Sequence, residues 1–355
     1  MANILLVGSN RNRVSGVRSL LRQDGHQVSC LRNETQWRAA EADIRPDLLV
    51  APVEDADSVL DVPGRSPHGF PAPLLFVQND TDFCHDPYIA TRLVDRMTSP
   101  FLHEELLARV DALIRVRKVV LHDVPSEEDT DETTGRGKWK DLGKRVGAML
   151  NRRVPHFSKP LGPYLEVAAR VASWADRRDA FEPGHAERVT SVCAMIAEGM
   201  HLPADTTASL LRAAVLHDIG KVSLPVEMLH QKSPLAESQM RMIRKHPRRG
   251  AAILASLDRD DEVAATILYH HERPNGEGYY GRNSDSTPVT AKVLAVAEIY
   301  DAMTMSRLAA PIPSQRALSR LSELKGETVD SDCVEALVDR LRVTPTTIPL
   351  APTAI

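Results

Sequence analysis

The sequence predicts two domains of different fold class, an α/β domain with a parallel sheet followed by an all-α helical bundle. Up to about residue 120, short apolar runs alternate with amphipathic segments, which is typical of buried parallel strands connected by helices. From residue 160 onward the apolar residues recur at helical spacing, and no strand-like alternation remains. The length of 355 residues agrees with this division, because it suits two domains of common size.

The first domain, residues 1–120, is predicted to contain five strands and four helices. Its first strand is the continuous apolar run ANILLVG, a pattern that indicates burial on both faces of a parallel sheet. The strands are expected at residues 2–8, 26–31, 46–53, 71–79 and 95–98. The helices are expected at residues 14–21, 37–42, 88–94 and 102–119.

Residues 121–159 are predicted to be a linker. Its first part, 123–137, is acidic and rich in Ser, Thr and Gly, which is typical of an exposed flexible segment. Its second part, 138–157, is basic, and a solvated helix face is favoured over a binding patch. The helical domain covers residues 160–343, and the proline-containing tail 344–355 is expected to be flexible. The helices of this domain are expected at 162–178, 183–200, 204–218, 234–245, 247–256, 260–271, 286–304, 313–325 and 329–343.

The composition argues against several classes of partner. The chain has 44 Lys and Arg against 48 Asp and Glu, a net charge of −4, so it lacks the basic field that drives nucleic-acid binding. No DNA partner is therefore expected. The four cysteines show no CxxC spacing and are expected to be reduced thiols in the cytoplasm. No apolar run reaches the length of a membrane span, and no membrane segment is expected.

Histidines and acids that suit metal binding follow one another through the helical region. The doublet His217-Asp218 ends an apolar segment, where buried charge is tolerated only when it is paired or bound to metal. A second doublet, His270-His271, ends a later helix. Helix neighbours point about 100° apart, so two doublets suit a two-metal site. Imidazole and carboxylate ligands favour ions such as Fe, Mn or Zn over Ca²⁺. The candidate ligands are His185, His217, Asp218, His246, His270, His271 and Glu298.

Taken in order, the motifs H-x-x-R-V, H-D-I-G-K, H-P, H-H-E, G-Y and A-E-x-x-D-A resemble the HD-GYP family over about residues 160–310. Members of this family are HD-superfamily phosphodiesterases that act on cyclic di-GMP. The resemblance implies two divalent transition-metal ions, Fe, Mn or similar. The ligands implied for one ion are His185, His217, Asp218 and Glu298, and those for the other are Asp218, as a bridge, with His246, His270 and His271.

The resemblance also implies a reaction and the residues that perform it. Two ions would lower the pKa of a bridging water, and the resulting hydroxide would attack phosphorus near neutral pH. Asp218 and Lys221 are the implied catalytic residues, and Lys221 would neutralise charge on the phosphate oxygens. The alternative for Arg188 and Arg273 is an ion pair within the protein. The alternative for Tyr279 and Tyr280 is packing within a turn. The residues expected to contact substrate are Arg188, Arg273, Gly278, Tyr279 and Tyr280.

The sequence departs from the family pattern at four places. Glu298 replaces the usual Asp, and Gly278–Tyr280 lacks the proline of the Gly-Tyr-Pro motif. The Glu that supports a third metal in some members is Phe181 here, so two metals are expected rather than three. Residues 306–310 keep only the first arginine of the family's D-R-P-Y-R motif. Asp301, the second acid of A-E-x-x-D-A, is expected to be structural.

Residues 1–118 resemble a response-regulator receiver domain, which implies a flavodoxin-like fold. MTSPF at 97–101 is similar to the motif at that family's fifth strand. The family's acidic pair, phosphoacceptor Asp, switch Thr or Ser and essential Lys are missing, so we predict a pseudo-receiver without a phosphoacceptor. Dimerisation or partner docking is its expected role; phosphorylation through a displaced acid such as Asp55, or small-ligand sensing, are the alternatives. The residues at the four positions are Gly8-Ser9-Asn10, Pro52, Gln78 and Ser99.

The predicted function is that of a cytoplasmic bacterial signalling protein that hydrolyses cyclic di-GMP to pGpG, GMP or both. The alternative from another class is a catalytically weak or inactive regulatory module, which acts through protein partners or senses a nucleotide. A third is an HD hydrolase of another phosphoester. The implied partners are the cyclic dinucleotide, signalling proteins such as those of the GGDEF type, and a second copy of the chain in a homodimer.

Overall fold

The computed structural model describes residues 1–8, 11–31, 36, 46–52, 72–79, 93–99, 101–121, 162–179, 184–231, 233–257, 260–305 and 310–343. Several sequence-based predictions lie outside these residues. They are the helix at 37–42, the helix at 88–94 up to residue 92, the linker from residue 122, the tail 344–355, Asp55, Phe181 and residues 306–309.

Five parallel strands form the N-terminal sheet, in the order β2-β1-β3-β4-β5. This is the strand order of flavodoxin-like folds, and the predicted α/β class is confirmed. Ile4 pairs with Val28 on one side and with Leu48 on the other, so the first strand lies inside the sheet. The strands are β1 (Asn3–Val7), β2 (Gln27–Leu31), β3 (Leu48–Pro52), β4 (Leu74–Asn79) and β5 (Val94–Ser99).

Two helices accompany this sheet among the described residues, α1 (Arg11–Gln23) and α2 (His103–Leu121). Gly25 follows α1 with a φ of 84°, a backbone conformation that glycine adopts readily, and the chain reverses there into β2. The predicted helix at 102–119 is α2, which extends two residues further. The predicted strand at 95–98 is β5, which is one residue longer at each end.

The rest of the described chain is helical, which confirms the predicted all-α class. The predicted helix at 204–218 ends earlier and is followed by a separate 3₁₀ turn at Ile219–Ser223. The predicted helix at 234–245 is shortened to Glu237–Ile243, and a one-turn helix at Val226–Leu229 was not predicted. The helices are α3 (Gly162–Arg178), α4 (His185–Gly199), α5 (Ala204–Leu216), α6 (Val226–Leu229), α7 (Glu237–Ile243), α8 (His246–Leu257), α9 (Asp261–Tyr269), α10 (Val289–Met305), α11 (Ser314–Glu323) and α12 (Ser331–Val343).

Helix α10 is the centre of the helical core. It packs against α4, α5, α9, α11 and α12. Its sequence is apolar nearly all round, as expected for a helix surrounded by others, and Val293, Leu294 and Tyr300 are almost completely buried.

The chain divides into two compact units. Of the described residues, the first unit holds those up to Leu121, Gly162 to Trp174, and Ser256 with Leu257; the second holds the remainder. The domain bounds predicted from the sequence stay a prediction. Among the described helices, none combines the length and the apolar character that crossing a membrane requires.

Candidate metal centre

The seven predicted ligands lie at helix ends or on the central helix. His185 and His246 are the first residues of α4 and α8, and the two doublets directly follow α5 and α9. Six of the seven form two groups of three, and within each group the potential ligand atoms lie within 4.8 Å of one another. One group is His185, His217 and Asp218, and the other is His246, His270 and His271.

Three of the imidazoles are held in the same way by the backbone. The Nδ1 atoms of His217, His246 and His270 lie 2.8, 2.8 and 2.6 Å from the carbonyl oxygen of the residue three positions earlier. An N–H donates to that carbonyl, so the tautomer is fixed with the proton on Nδ1. The lone pair on Nε2 is then available to a metal ion, which is the usual arrangement of a histidine ligand.

A carboxylate orients the fourth imidazole. His185 Nδ1 lies 2.8 Å from Asp301 Oδ2, and Arg188 donates to the same carboxylate from Nε at 2.6 Å and from Nη2 at 3.0 Å. Burial by itself would raise the pKa of Asp301, but the hydrogen bonds from His185 and Arg188 hold this pKa below its usual value. Asp301 thus bonds both His185 and Arg188, and its predicted structural role stays a prediction. Arg188 forms an ion pair with Asp301, the alternative considered to a phosphate contact.

Asp218 belongs to the first group of ligands and also faces the second. Its Oδ1 is 3.2 Å from His246 Nε2, and its Oδ2 is 3.4 Å from His217 Nε2 and 4.0 Å from His185 Nε2. Lys221 Nζ approaches Oδ2 to 2.7 Å. Burial opposes ionisation, but the charge of Lys221 and the neighbouring histidines hold the pKa of Asp218 well below its usual value. A carboxylate that is ionised and faces both groups suits the predicted bridging role.

The protonation states suit a cation. Burial lowers the pKa of His246 well below its usual value and lowers the pKa of His270 and His271 to about 3, so these rings are neutral near pH 7. Burial would also lower the pKa of His217, but the negative charge of Asp218 raises it. Among the described residues, His217 Nε2 is buried and has no hydrogen-bond partner. A metal ion would satisfy this nitrogen and compensate the charge of Asp218.

Glu298 belongs to neither group of three within the described part of the chain. Its Oε2 lies 3.5 Å from His271 Nδ1 and 4.0 Å from His270 Nε2. These distances put the carboxylate beside the second doublet. Its predicted assignment to the ion of His185 and His217 stays a prediction.

Glycine at position 220 allows the two groups to approach. An added Cβ there would lie 2.0 Å from the carbonyl oxygen of His246 and 2.7 Å from the amide nitrogen of Gly250. The 3₁₀ turn that follows Asp218 therefore lies directly on the first turn of α8, backbone against backbone. This contact brings Asp218 and Lys221 to His246, and only a residue without a side chain fits it.

A cavity of about 350 Å³ opens beside the second group of ligands. Its volume lies at the lower end of the usual range for small-molecule sites. The Tyr279 ring covers His271, with ring centroids 4.5 Å apart, whereas Tyr280 packs on Tyr269. Tyr280 also donates from its hydroxyl to the carbonyl of Arg244 at 3.3 Å. The lining residues include His270, His271, Glu298, Arg244, Arg273, Gly278 and Tyr279.

The buried Glu272 holds the loop that carries Tyr279. Its carboxylate accepts hydrogen bonds from the backbone amides of Tyr280 at 2.8 Å and Arg282 at 2.6 Å. Gly278 lies against the same turn, because a Cβ there would be 2.5 Å from the Cα of Glu272. The loop without the family's proline is thus fixed by a carboxylate and a close backbone contact.

Four residues that contact the candidate site were not singled out from the sequence. Gly220 and Glu272 occur inside the quoted motifs H-D-I-G-K and H-H-E, but their roles depend on backbone contacts that a motif does not reveal. Asp179, whose Oδ2 lies 3.5 Å from Lys221 Nζ, belongs to no motif. Arg244 lies two residues before the H-P motif, and that spacing to His246 is the only sequence signal that points to it.

Comparison with known proteins agrees with this site. Residues 171–333 match the HD domain family. The helical region is an HD domain. This domain contains all seven candidate ligands and Lys221, so the family assignment and the geometry concern the same residues.

Several curated relatives are similar to this chain. It is 33% identical over 250 residues to the "Cyclic di-GMP phosphodiesterase response regulator RpfG" of Xanthomonas campestris pv. campestris, covering 69% of this chain and 61% of that protein. It is 30% identical over 212 residues to the "3'3'-cGAMP-specific phosphodiesterase 3" of Vibrio cholerae, covering 59% and 45%. It is 31% identical over 207 residues to a "Cyclic di-GMP phosphodiesterase" of Thermotoga maritima, covering 56% and 55%. The matches thus span between 45% and 61% of these relatives.

Proposed function

We propose that this protein is a metal-dependent phosphodiesterase that hydrolyses a cyclic dinucleotide, with cyclic di-GMP as substrate and pGpG, GMP or both as product. The position of Asp218 carries the proposal, because one of its oxygens faces His217 in its own group and the other faces His246 in the second group. The HD domain contains this arrangement, and relatives similar to it are called phosphodiesterases of cyclic di-GMP or 3'3'-cGAMP.

The donor set fits two divalent transition-metal ions, Fe, Mn or similar. When bound, such ions supply Lewis acidity at the phosphate and activation of water. His185, His217 and Asp218 would hold one ion, and His246, His270 and His271 the other, with Glu298 as a further donor beside the second doublet. Neutral imidazoles and an ionised Asp218 are the protonation states that this binding requires.

Residues around the ligands have separate tasks in the proposed reaction. Lys221 holds the Asp218 carboxylate at 2.7 Å and places a positive charge where a phosphate would meet the two groups. Asp301 keeps the His185 ring oriented with its Nε2 toward Asp218. Arg273 and Tyr279 line the cavity next to His271, where they would contact the substrate.

The test uses the purified full-length protein loaded with Mn²⁺ or Fe²⁺. It is incubated separately with cyclic di-GMP and with 3'3'-cGAMP, and the products are separated by chromatography. We expect pGpG or GMP from cyclic di-GMP, and a loss of at least about a hundredfold in kcat for Asp218→Asn. The exposed Asp205→Asn, on the first turn of α5, is the matched control and should behave like the parent.

Two results would lead away from this proposal. If the protein binds cyclic di-GMP but forms no product with any of the metals tested, the regulatory module would be favoured. The changed Gly278–Tyr280 motif agrees with that alternative. Full activity of the Asp218→Asn variant would exclude a bridging carboxylate. The pseudo-receiver role, the cytoplasmic location, GGDEF-type partners and the homodimer stay predictions.

A further inference from the structure

Arg244 is anchored at the rim of the cavity by its backbone. It directly follows α7, and its amide donates to the carbonyl of Met240 at 2.9 Å. Its own carbonyl accepts the hydroxyl of Tyr280 at 3.3 Å. The residue is thus fixed between the end of a helix and the loop that covers His271, two positions before the candidate ligand His246.

The side chain of Arg244 lies over the ring of Tyr279. The guanidinium carbon is 5.7 Å from the ring centroid, within the range of a cation–π contact. The same ring also contacts His271, at a centroid distance of 4.5 Å, and Tyr280, at 6.4 Å. His271, Tyr279 and Arg244 therefore form a series that leads outward from the metal ligands along the cavity.

The charge of Arg244 has no acidic partner within the part of the chain that the structure describes. Among the described residues, no carboxylate lies within ion-pair distance of its guanidinium, whereas Arg241, one turn earlier, pairs with Glu237 at 2.9 Å. Arg273, the second arginine that lines the cavity, likewise has no carboxylate within ion-pair distance among the described residues. An exposed arginine at a cavity rim, stacked on an aromatic ring and without an acidic partner, is well suited to bind a phosphate.

The acids that share the cavity have other partners. Glu272 accepts from two backbone amides of the loop, and Glu277 accepts from the side-chain amide of Asn275 at 3.1 Å. Glu298 lies beside the second histidine doublet. Among the described residues, these acids are therefore engaged elsewhere and form no ion pair with the two rim arginines.

We propose that Arg244, supported by the Tyr279 ring, binds the phosphate of the dinucleotide that is not cleaved. This rests on the proposed function, in which the cleaved phosphate lies at the two groups of metal ligands. Arg244 contacts the Tyr279 ring, which in turn contacts the candidate ligand His271, so we assign the guanidinium to the second phosphate and not to the one at the ligands. A substrate with two phosphates would then be held at both, and a diester with one phosphate would lose the outer contact.

The test compares Arg244→Gln with Arg241→Gln, a control in the last turn of α7 that lies outside the cavity lining. Binding of cyclic di-GMP to the Mn²⁺-loaded protein is measured by titration calorimetry, and hydrolysis of cyclic di-GMP and of bis(4-nitrophenyl) phosphate by kinetics. For Arg244→Gln we expect Kd and KM for cyclic di-GMP to rise about tenfold, with kcat changed less than threefold. The rise in KM should be at least about fivefold smaller for bis(4-nitrophenyl) phosphate. Arg244→Lys keeps the charge without the planar group, and its Kd and KM for cyclic di-GMP should rise about threefold.

The outcomes separate this proposal from the proposed function. An equal rise in KM for both substrates in Arg244→Gln would overturn the role of Arg244. So would a Kd for cyclic di-GMP that does not change in this variant. Absence of cyclic di-GMP binding to the parent would overturn it as well. A parent protein that binds cyclic di-GMP through Arg244 but forms no product would leave this site standing and remove only the hydrolytic activity.

Discussion

Replacing Gly220 with alanine will disturb the fold and the metal centre together. The added Cβ would lie 2.0 Å from the carbonyl oxygen of His246, whereas ordinary contacts begin near 3.4 Å. The two backbone segments must therefore separate by about 1 Å or more in a close-packed interior. Overpacking of this kind costs about 3 kcal/mol, which corresponds to a fall in Tm of about 6–12 °C for a domain of this size. Because His246 moves with its carbonyl, we also expect metal affinity to fall about tenfold or more.

Two other glycines provide a graded comparison. At Gly250 a Cβ would meet methyl groups of Ile267 at 3.1 Å and Ile219 at 3.2 Å, which are side chains that adjust more easily. The helix preference of alanine offsets part of that crowding, so Gly250→Ala should change stability by about 1 kcal/mol or less. At Gly16, in α1, nothing lies within 4 Å, and Gly16→Ala should raise stability by about 0.5–1 kcal/mol.

The assay is thermal unfolding of the three variants and the parent, with and without Mn²⁺, followed by calorimetric titration of the metal. The expected order of Tm is Gly16→Ala, parent, Gly250→Ala and Gly220→Ala, from highest to lowest. A Gly220→Ala protein that unfolds within about 1 °C of the parent and binds Mn²⁺ equally well would refute the close backbone contact between the 3₁₀ turn and α8.

Three further predictions concern the groups around the ligands. Asp301→Asn keeps the shape of the side chain but removes the charge that orients the His185 imidazole, so Mn²⁺ affinity should fall about 10–100-fold in titration calorimetry. An unchanged Mn²⁺ affinity would mean that this acid only stabilises the fold. Glu272→Gln removes the charged acceptor of the Tyr280 amide, so KM for cyclic di-GMP should rise about tenfold while bound Mn²⁺, measured by mass spectrometry, stays at the parental amount. In EDTA the protein should lose stability as the pH falls below about 6.5, because His270 and His271 stay neutral in the folded state down to a pKa of about 3, whereas unfolded histidines protonate near 6.5. Thermal unfolding from pH 7.5 to 5 measures this slope, and a variant with both histidines replaced by Gln should flatten it.

Most of the fold class was predictable because burial leaves a strong pattern in sequence. The runs at Leu48–Pro52 and Leu74–Asn79 are apolar on both faces, and such runs between amphipathic segments indicate a covered parallel sheet. The helix ends were less predictable. The expected helix at 204–218 ends at Leu216, because the next turn packs on α8 through Gly220, a contact with a residue about 26 positions away.

The candidate ligands could be singled out from the sequence, but the contacts between them could not. His217 and Asp218 are recognisable as a costly pair in an apolar segment, and the order of the motifs brought the other ligands into the prediction. The position of Glu298 beside His271 depends on how α10 packs against α9, which no local pattern encodes. The rim arginine Arg244 is separated from its stacking partner Tyr279 by 35 residues, and such pairs become visible only when the loop is in place.

The hydrogen bonds from Nδ1 have a consequence for the helices themselves. An α-helix leaves its last four carbonyls without partners, and Ala214, Ile243 and Ile267 all lie among the last four residues of α5, α7 and α9. His217, His246 and His270 supply the missing donors, so each imidazole is a C-terminal cap on one side of its ring and a candidate ligand on the other. Fraying of one of these helix ends would therefore turn a ligand away, and a bound ion would in turn hold three helix ends closed.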